Sequence, residues 1–273
     1  VGETYTLVEV EAPKGWVLAT PVEFTVEDDK KDQNINMIDI RVSAHKYDET
    51  VEKYVEGASL EVRDEKGKVV DSWTTDKEFH YIENLIAGKS YTLVETKAPK
   101  GYAIAKPVAF TVVDNGEDQK VVMINKKVLN YKIDTKVEML PGAELEVRDK
   151  EGNVVDKWTS DGSAHEIENL KVGETYTLVE VKAPEGYAIA TPITFTVADD
   201  AKNESFNMID KQVFVSKKDT EGNDMKGAKL SVVAQDGSVV DTWVSDGTAH
   251  AVSNISVGAT YKLRENEAPE GYV

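Results

Sequence analysis

A twelve-residue phrase occurs four times along this chain, and its spacing sets the scale of everything the chain can fold into. It reads Tyr5-Thr-Leu-Val-Glu9-Val-Glu-Ala-Pro-Lys-Gly-Trp16, and it begins again at Tyr91, Tyr176 and Tyr261, each time ending in Ala-Pro-x-Gly-Tyr. The glutamates at its centre, Glu9, Glu95, Glu180 and Glu265, lie 86, 85 and 85 residues apart. A period this long exceeds a solenoid coil and suits a small domain that buries its own core. The chain then divides into four pieces. Residues 1–40 are the C-terminal half of a repeat, 41–126 and 127–211 are complete repeats, and 212–273 are the N-terminal part of another. Both ends fall at the same point of the phrase, so the sequence reads as a window on a longer protein. Targeting and anchoring segments are then expected outside it.

Within a repeat the apolar pattern alternates and no stretch sustains a helical period. Leu60-Glu-Val62 opens a hairpin that turns at Glu65-Lys-Gly67-Lys and runs back to Trp73; Leu145 to Trp158 and Leu230 to Trp243 repeat it. The Tyr-x-Leu-x-Glu strand follows. After the Ala-Pro-x-Gly-Tyr loop come Pro107-Val-Ala-Phe-Thr-Val112 and a closing strand, Val121-Val-Met-Ile-Asn125. About seven short strands punctuated by turns predict a small antiparallel β-sandwich. The junctions, Lys126-Lys-Val128 and Lys211-Gln-Val213, contain no flexible linker, so neighbouring repeats are expected to abut as a rod.

Charge and cysteine content narrow the function. A net charge of −18 repels phosphate backbones and argues against nucleic acid as a partner. No apolar run is long enough to span a bilayer as a helix. Cysteine is absent, so neither a disulfide nor a thiolate metal site is available as a staple.

Three residue types recur where an apolar face should have none. Alternate residues share a strand face, so Tyr91, Leu93 and Glu95 point one way, as do Tyr176, Leu178 and Glu180. Closing strands end likewise in Asp39, Asn125 and Asp210. Opening strands contribute Lys46, Lys132 and Lys217, each followed by Lys-x-Asp spacing; Asn130 interrupts the apolar stripe of the second. The lysine-to-glutamate interval is 49, 48 and 48 residues, and glutamate to Asp/Asn is 30 in all three measurable cases. Burying these groups together is costly unless they pair or react. Desolvation lowers a lysine's pKa and raises a glutamate's, so a neutral amine can meet a protonated carboxyl at ordinary pH. The amine of Lys46 could then attack the side-chain carbonyl of Asn125 while Glu95 shuttles the proton, giving an isopeptide bond. An unreacted salt bridge is the alternative; it fits Asp39 and Asp210 and fits Asn125 poorly, because an amide brings no charge.

These residues resemble the B-type repeats of collagen adhesin, the CnaB or prealbumin-like domains of Gram-positive surface proteins and pilins. The marks are Lys-x-Asp in the first strand, the Tyr-x-Leu-x-Glu-x-x-Ala-Pro-x-Gly-Tyr segment, and Met-Ile-Asp/Asn in the last. The resemblance implies tandem seven-stranded Greek-key sandwiches whose first and last strands lie side by side, joined by lysine–Asp/Asn isopeptide bonds with glutamate as catalyst. Matching positions make Lys46, Glu95 and Asn125 one site and Lys132, Glu180 and Asp210 another. Glu9 with Asp39, and Lys217 with Glu265, are incomplete sites.

Other recurring residues receive plainer readings. His80, His165 and His250 come one per repeat with no second ligand at a metal-binding spacing, so surface-strand histidines are expected. The acidic loops Glu27-Asp-Asp29 and Asp199-Asp200 lack a calcium-loop ladder and read as solvated turns. Trp73, Trp158 and Trp243 read as hairpin packing. No cofactor or metal is expected. The expected function is a non-enzymatic stalk, extracellular and wall-anchored through segments elsewhere. Its partners are neighbouring repeats, with any host ligand bound by a tip domain outside this sequence. A ligand-binding adhesin region is the rival. A minority reading joins chains head to tail, Lys217 bonding Asp39 of the next.

Overall fold

The computed structural model describes residues 1–48 and 50–272. Among them every regular element is a β-strand, and no helix is long and apolar enough to cross a membrane. The chain forms two compact units. The first holds Val1–Lys127 with Glu168–Gly173 and Val197–Glu204; the second holds the remainder.

In the first unit, β1 (Thr4–Leu7) and β2 (Val22–Thr25) form an antiparallel pair. The complete repeat follows as β3 (Val42–Asp48), β4 (Lys53–Tyr54), β5 (Ser59–Asp64), β6 (Val69–Thr74), β7 (His80–Tyr81), β8 (Ser90–Lys97), β9 (Val108–Thr111) and β10 (Gln119–Ile124). One sheet runs β10-β3-β4, with β7 also on β3; the other runs β6-β5-β8-β9. Their inner faces share a core that includes Val42, Ala44, Leu60, Val62, Ile82, Tyr91, Leu93, Val121 and Met123. The β5–β6 turn is written in the sequence: Gly67 takes φ 80°, and Asp64 Oδ1 accepts the amides of Lys66 and Lys68, each at 2.9 Å.

The pairing of this repeat's first and last strands departs from the antiparallel pattern. β3 and β10 lie side by side in parallel, with Met123 opposite Lys46 and Val121 opposite Ala44. Parallel neighbours need a long crossover, and here the whole repeat is that crossover. Its first and last strands therefore point the same way. Pro107 falls one residue before β9, where no ladder donor is needed.

The next repeat follows the same plan, mostly within the second unit, with β11 (Val128–Asp134), β12 (Glu144–Arg148), β13 (Val154–Thr159), β14 (His165–Glu166), β15 (Thr175–Lys182), β16 (Ile193–Thr196) and β17 (Glu204–Asp210). Its sheets are β14-β11-β17 and β13-β12-β15-β16. Beyond them, β18 (Phe214–Val215) pairs β21 (His250–Ala251), and β19 (Lys226–Val233) lies between β20 (Val239–Asp246) and β22 (Lys262–Glu267).

The incomplete pieces correct one expectation. Ile35, Met37 and Asp39 should lie on a closing strand, yet no strand is formed between β2 and β3. In the complete repeat that strand pairs with the opening strand, and residues 1–40 contain none. In the incomplete pieces β1 and β22 are exposed along their length, whereas β8 and β15 bury Tyr91, Leu93, Glu95 and Tyr176, Leu178, Glu180.

Candidate functional site

Alternation along β8 turns Tyr91, Leu93 and Glu95 into the core, and alternation along β3 does the same for Val42, Ala44 and Lys46. Asn125 follows β10 directly, and its backbone amide donates to Tyr47 O at 2.9 Å. The parallel register therefore delivers Asn125 beside Lys46. All three side chains are buried: Lys46 is 2% exposed, Glu95 4% and Asn125 1%.

Glu95 bridges the other two. Its Oε1 lies 3.1 Å from Lys46 Nζ, while its Oε2 accepts Asn125 Nδ2 at 3.2 Å. The amine is close to the carboxylate but outside hydrogen-bonding geometry, and Nζ, Glu95 Oε1 and Asn125 Oδ1 make no hydrogen bond. Burial pushes the Lys46 ammonium down to about 8, with Glu95's negative charge opposing the fall. An amine shifted toward neutrality thus sits beside one oxygen of a carboxylate whose other oxygen accepts from the Asn125 amide nitrogen.

Sequence reasoning missed what holds this arrangement. Ala105 N donates to Glu95 Oε2 at 2.6 Å, and Ala103 O accepts Asn125 Nδ2 at 2.8 Å. Ala103 N also donates to Lys126 O at 3.0 Å. Two backbone positions after the Ala-Pro-Lys-Gly-Tyr loop therefore fix Glu95 and Asn125 together. The signal was visible in the recurrence of Ala103-Ile-Ala105 as Ala188-Ile-Ala190. Such small residues carry no chemistry in their side chains, so only backbone bonding reveals the role. Tyr102 adds an anchor, its hydroxyl donating to Asp48 Oδ2 at 2.8 Å.

The second site has the same parts and a different balance. Lys132 Nζ lies 2.8 Å from Glu180 Oε1 and also contacts Asp210 Oδ1 in a very short pair. Glu180 Oε2 accepts Ala190 N at 2.6 Å, and Asp210 Oδ2 is unpaired. Desolvation raises the Asp210 carboxyl to about 7 against the pull of Lys132, with Glu180's negative charge adding to the rise. Asn130, which interrupts the apolar stripe, is buried and donates through Nδ2 to Phe206 O at 3.1 Å, tying the first strand to the last.

The incomplete sites are only partly assembled. Lys217 Nζ donates to Glu265 Oε2 at 3.0 Å with both groups partly exposed. Glu9 Oε2 accepts Ala19 N at 2.8 Å, and Asp39 is half-buried. The recurring histidines stack on the recurring tryptophans, with centroids 4.1, 3.9 and 4.1 Å apart. Each also lies within 2.8 to 2.9 Å of an aspartate oxygen, from Asp71, Asp156 and Asp241. They are hairpin clasps. Among the described residues no group of three or more His, Asp or Glu side chains is placed to hold a metal ion.

Residues 40–127, 126–212 and 211–273 each match the SpaA prealbumin-like fold domain family. No curated protein sequence is matched. Among solved structures, the chain is similar to the Bacillus anthracis TIE protein at 22% identity, over 93% of this chain and 50% of that one, with a TM-score of 0.29. It thus spans half of that protein's length. It is similar to shaft pilin SpaA from Lactobacillus rhamnosus GG at 15% identity, over 63% of this chain and 97% of that one, with a TM-score of 0.28. For GBS52, the minor pilin of Streptococcus agalactiae, the figures are 14%, 66%, 99% and 0.33.

Proposed function

We propose, from the premise that this chain belongs to the SpaA prealbumin-like fold domain family, that it is a load-bearing piece of a Gram-positive surface stalk or fibre. Each complete repeat, 41–126 and 127–211, closes itself with one isopeptide bond. The observation that carries this reading is the bridging carboxylate: Glu95 holds Lys46 Nζ on one oxygen and Asn125 Nδ2 on the other, away from water.

The chemistry balances without a cofactor. The neutral Lys46 amine attacks Cγ of Asn125, and an Nζ–Cγ bond forms as the Cγ–Nδ2 bond breaks. Glu95 takes a proton from the amine and passes one to the departing nitrogen, which leaves as ammonia. At the second site the Cγ–O bond of Asp210 breaks instead and water leaves. Fixed neighbours in such a site reach effective molarities of roughly 10⁵ M or more, which replaces external activation. Each site turns over once. An unreacted ion triad competes as a reading for the second site alone, because Lys132 already contacts both carboxylates.

The mechanical consequence follows from topology. Tension enters a repeat through its first strand and leaves through its last, which in the first complete repeat are β3 and β10, lying side by side. A covalent bridge there routes the load past everything between. Force spectroscopy of the chain tests this: a closed repeat extends only by the few residues outside its Lys–Asn or Lys–Asp loop. Release of a whole repeat's contour length at ordinary unfolding forces would reject the load-bearing role.

A further inference from the structure

One buried cation takes no part in either site. Lys126, the residue after Asn125, has a side chain 2% exposed. Its Nζ donates to Ala198 O at 3.0 Å and to Asp200 Oδ1 at 2.8 Å, and it contacts Glu204 Oε1 in a very short pair. All these residues belong to the first unit. Lys126 chiefly holds the Asp200 carboxyl below the usual carboxylate range, so the cluster is ionic rather than poised for condensation.

The internal repeats supply a comparison. One period earlier, Lys126 corresponds to Ile40, Glu204 to Gln119 and Asp200 to Asn115. Ile40 is a buried member of the apolar core. Gln119 satisfies the adjacent backbone by itself: Oε1 accepts Val113 N at 3.1 Å, and Nε2 donates to Thr111 O at 3.0 Å. Glu204 keeps the first of these bonds, accepting Ala198 N at 2.8 Å, but a carboxylate has no proton for the second. Lys126 does not reach the equivalent carbonyl; its Nζ donates instead to Ala198 O, two residues further on, and it neutralises the Glu204 charge. Three positions therefore differ together, and the carboxylates at 200 and 204 find their counter-charge in Lys126.

We propose that these residues are a charge-coded latch that sets which repeat can follow which. One code is apolar, Ile40 with Gln119; the other is ionic, Lys126 with Glu204 and Asp200. The partner fitted by a lysine at the end of one repeat is a following repeat bearing a carboxylate at the Glu204 position. A Gln-bearing repeat would leave the buried ammonium short of a counter-charge, and an isoleucine before a Glu-bearing repeat would strand a carboxylate. Removing one member of a buried pair is far more disruptive than exchanging both.

Amide hydrogen exchange on the full chain tests the latch independently of the isopeptide bonds. Lys126→Ile and Glu204→Gln should each speed exchange at residues 126–128 and 198–204 by about tenfold or more. The double variant, which installs the apolar code, should return to within about threefold of the parent. Transplanting the ionic code, by Ile40→Lys with Asn115→Asp and Gln119→Glu, should likewise be tolerated where Ile40→Lys alone is not. Silent single variants, or a double variant as fast as the product of the two, would overturn the latch.

Discussion

The two buried lysine sites use equivalent strands and the same backbone amide on the glutamate, yet their last-strand residues differ at one heavy atom. Asn125 presents a neutral amide to Lys46, and Asp210 presents an acid to Lys132. Around Asn125 the amine is the group displaced by burial, falling to about 8. Around Asp210 the acid is displaced, rising to about 7. The Asn site has one carboxylate beside its amine, and that carboxylate also accepts from the Asn125 amide nitrogen. The Asp site has two carboxylates around one ammonium. The lesson is that the fold fixes proximity while the residue at the end of the last strand decides which group burial displaces.

The largest test of this comparison removes the nucleophile from one site at a time. Lys46→Ala should cost the first repeat about 4 to 5 kcal/mol, the entropy of an open loop of about 80 residues, and leave the second untouched. Lys132→Ala should do the reverse. Denaturant unfolding followed by fragment-resolved hydrogen exchange separates the two; equal loss in both repeats would contradict independent closure.

A smaller effect concerns the unreacted amine. In Asn125→Ala, Lys46 stays free and buried, with a folded pKa near 8 against an ordinary value of 10.5. The unfolded chain then holds more protons between those values, so stability should rise with pH across that window, by about 3 kcal/mol in total. Below the window the full penalty for burying the ammonium remains. A flat unfolding profile between pH 8 and pH 10.5 would mean that the amine is not desolvated.

Exchanging the acyl partners sharpens the contrast. When unreacted chain is refolded from denaturant, closure at Lys46 should accelerate as pH rises toward about 8. Closure at Lys132 should slow as pH rises through about 7, because Asp210 loses the proton that makes it an acyl donor. Asn125→Asp should change the lost molecule from ammonia to water and move the first site's profile toward acid; Asp210→Asn should do the opposite. Time-resolved mass measurement reads both. Identical profiles before and after the exchange would remove the role given to the acyl group.

The smallest effect is reserved for the clasps. His165→Ala should cost about 1 kcal/mol from the lost stack on Trp158 and leave both bonds intact, as thermal melting and mass would show.

Much of this was legible because alternation and recurrence are properties of side chains in order. Glu95 and Lys46 were recognisable as misfits on apolar faces, and the fixed interval from glutamate to Asn or Asp tied them to the last strand. The parallel pairing of β3 with β10 was not, since strand direction depends on the path of the whole repeat and leaves no local mark. The supports at Ala103 and Ala105 were hidden for a different reason: their contribution is a backbone carbonyl and amide. Lys126 escaped notice because a lysine at a junction looks solvated until the loop at 198–204 is seen to enclose it. The strand expected at residues 35–39 failed because its pairing partner is absent from that piece.

Intact mass of the denatured full chain tests the central claim most directly. Two closed repeats predict a chain lighter than its sequence by one ammonia and one water, the ammonia restored by Lys46→Ala and the water by Lys132→Ala once each substitution's own mass is allowed for. A chain that weighs what its 273 residues sum to would contradict self-closure and leave only buried ion pairs.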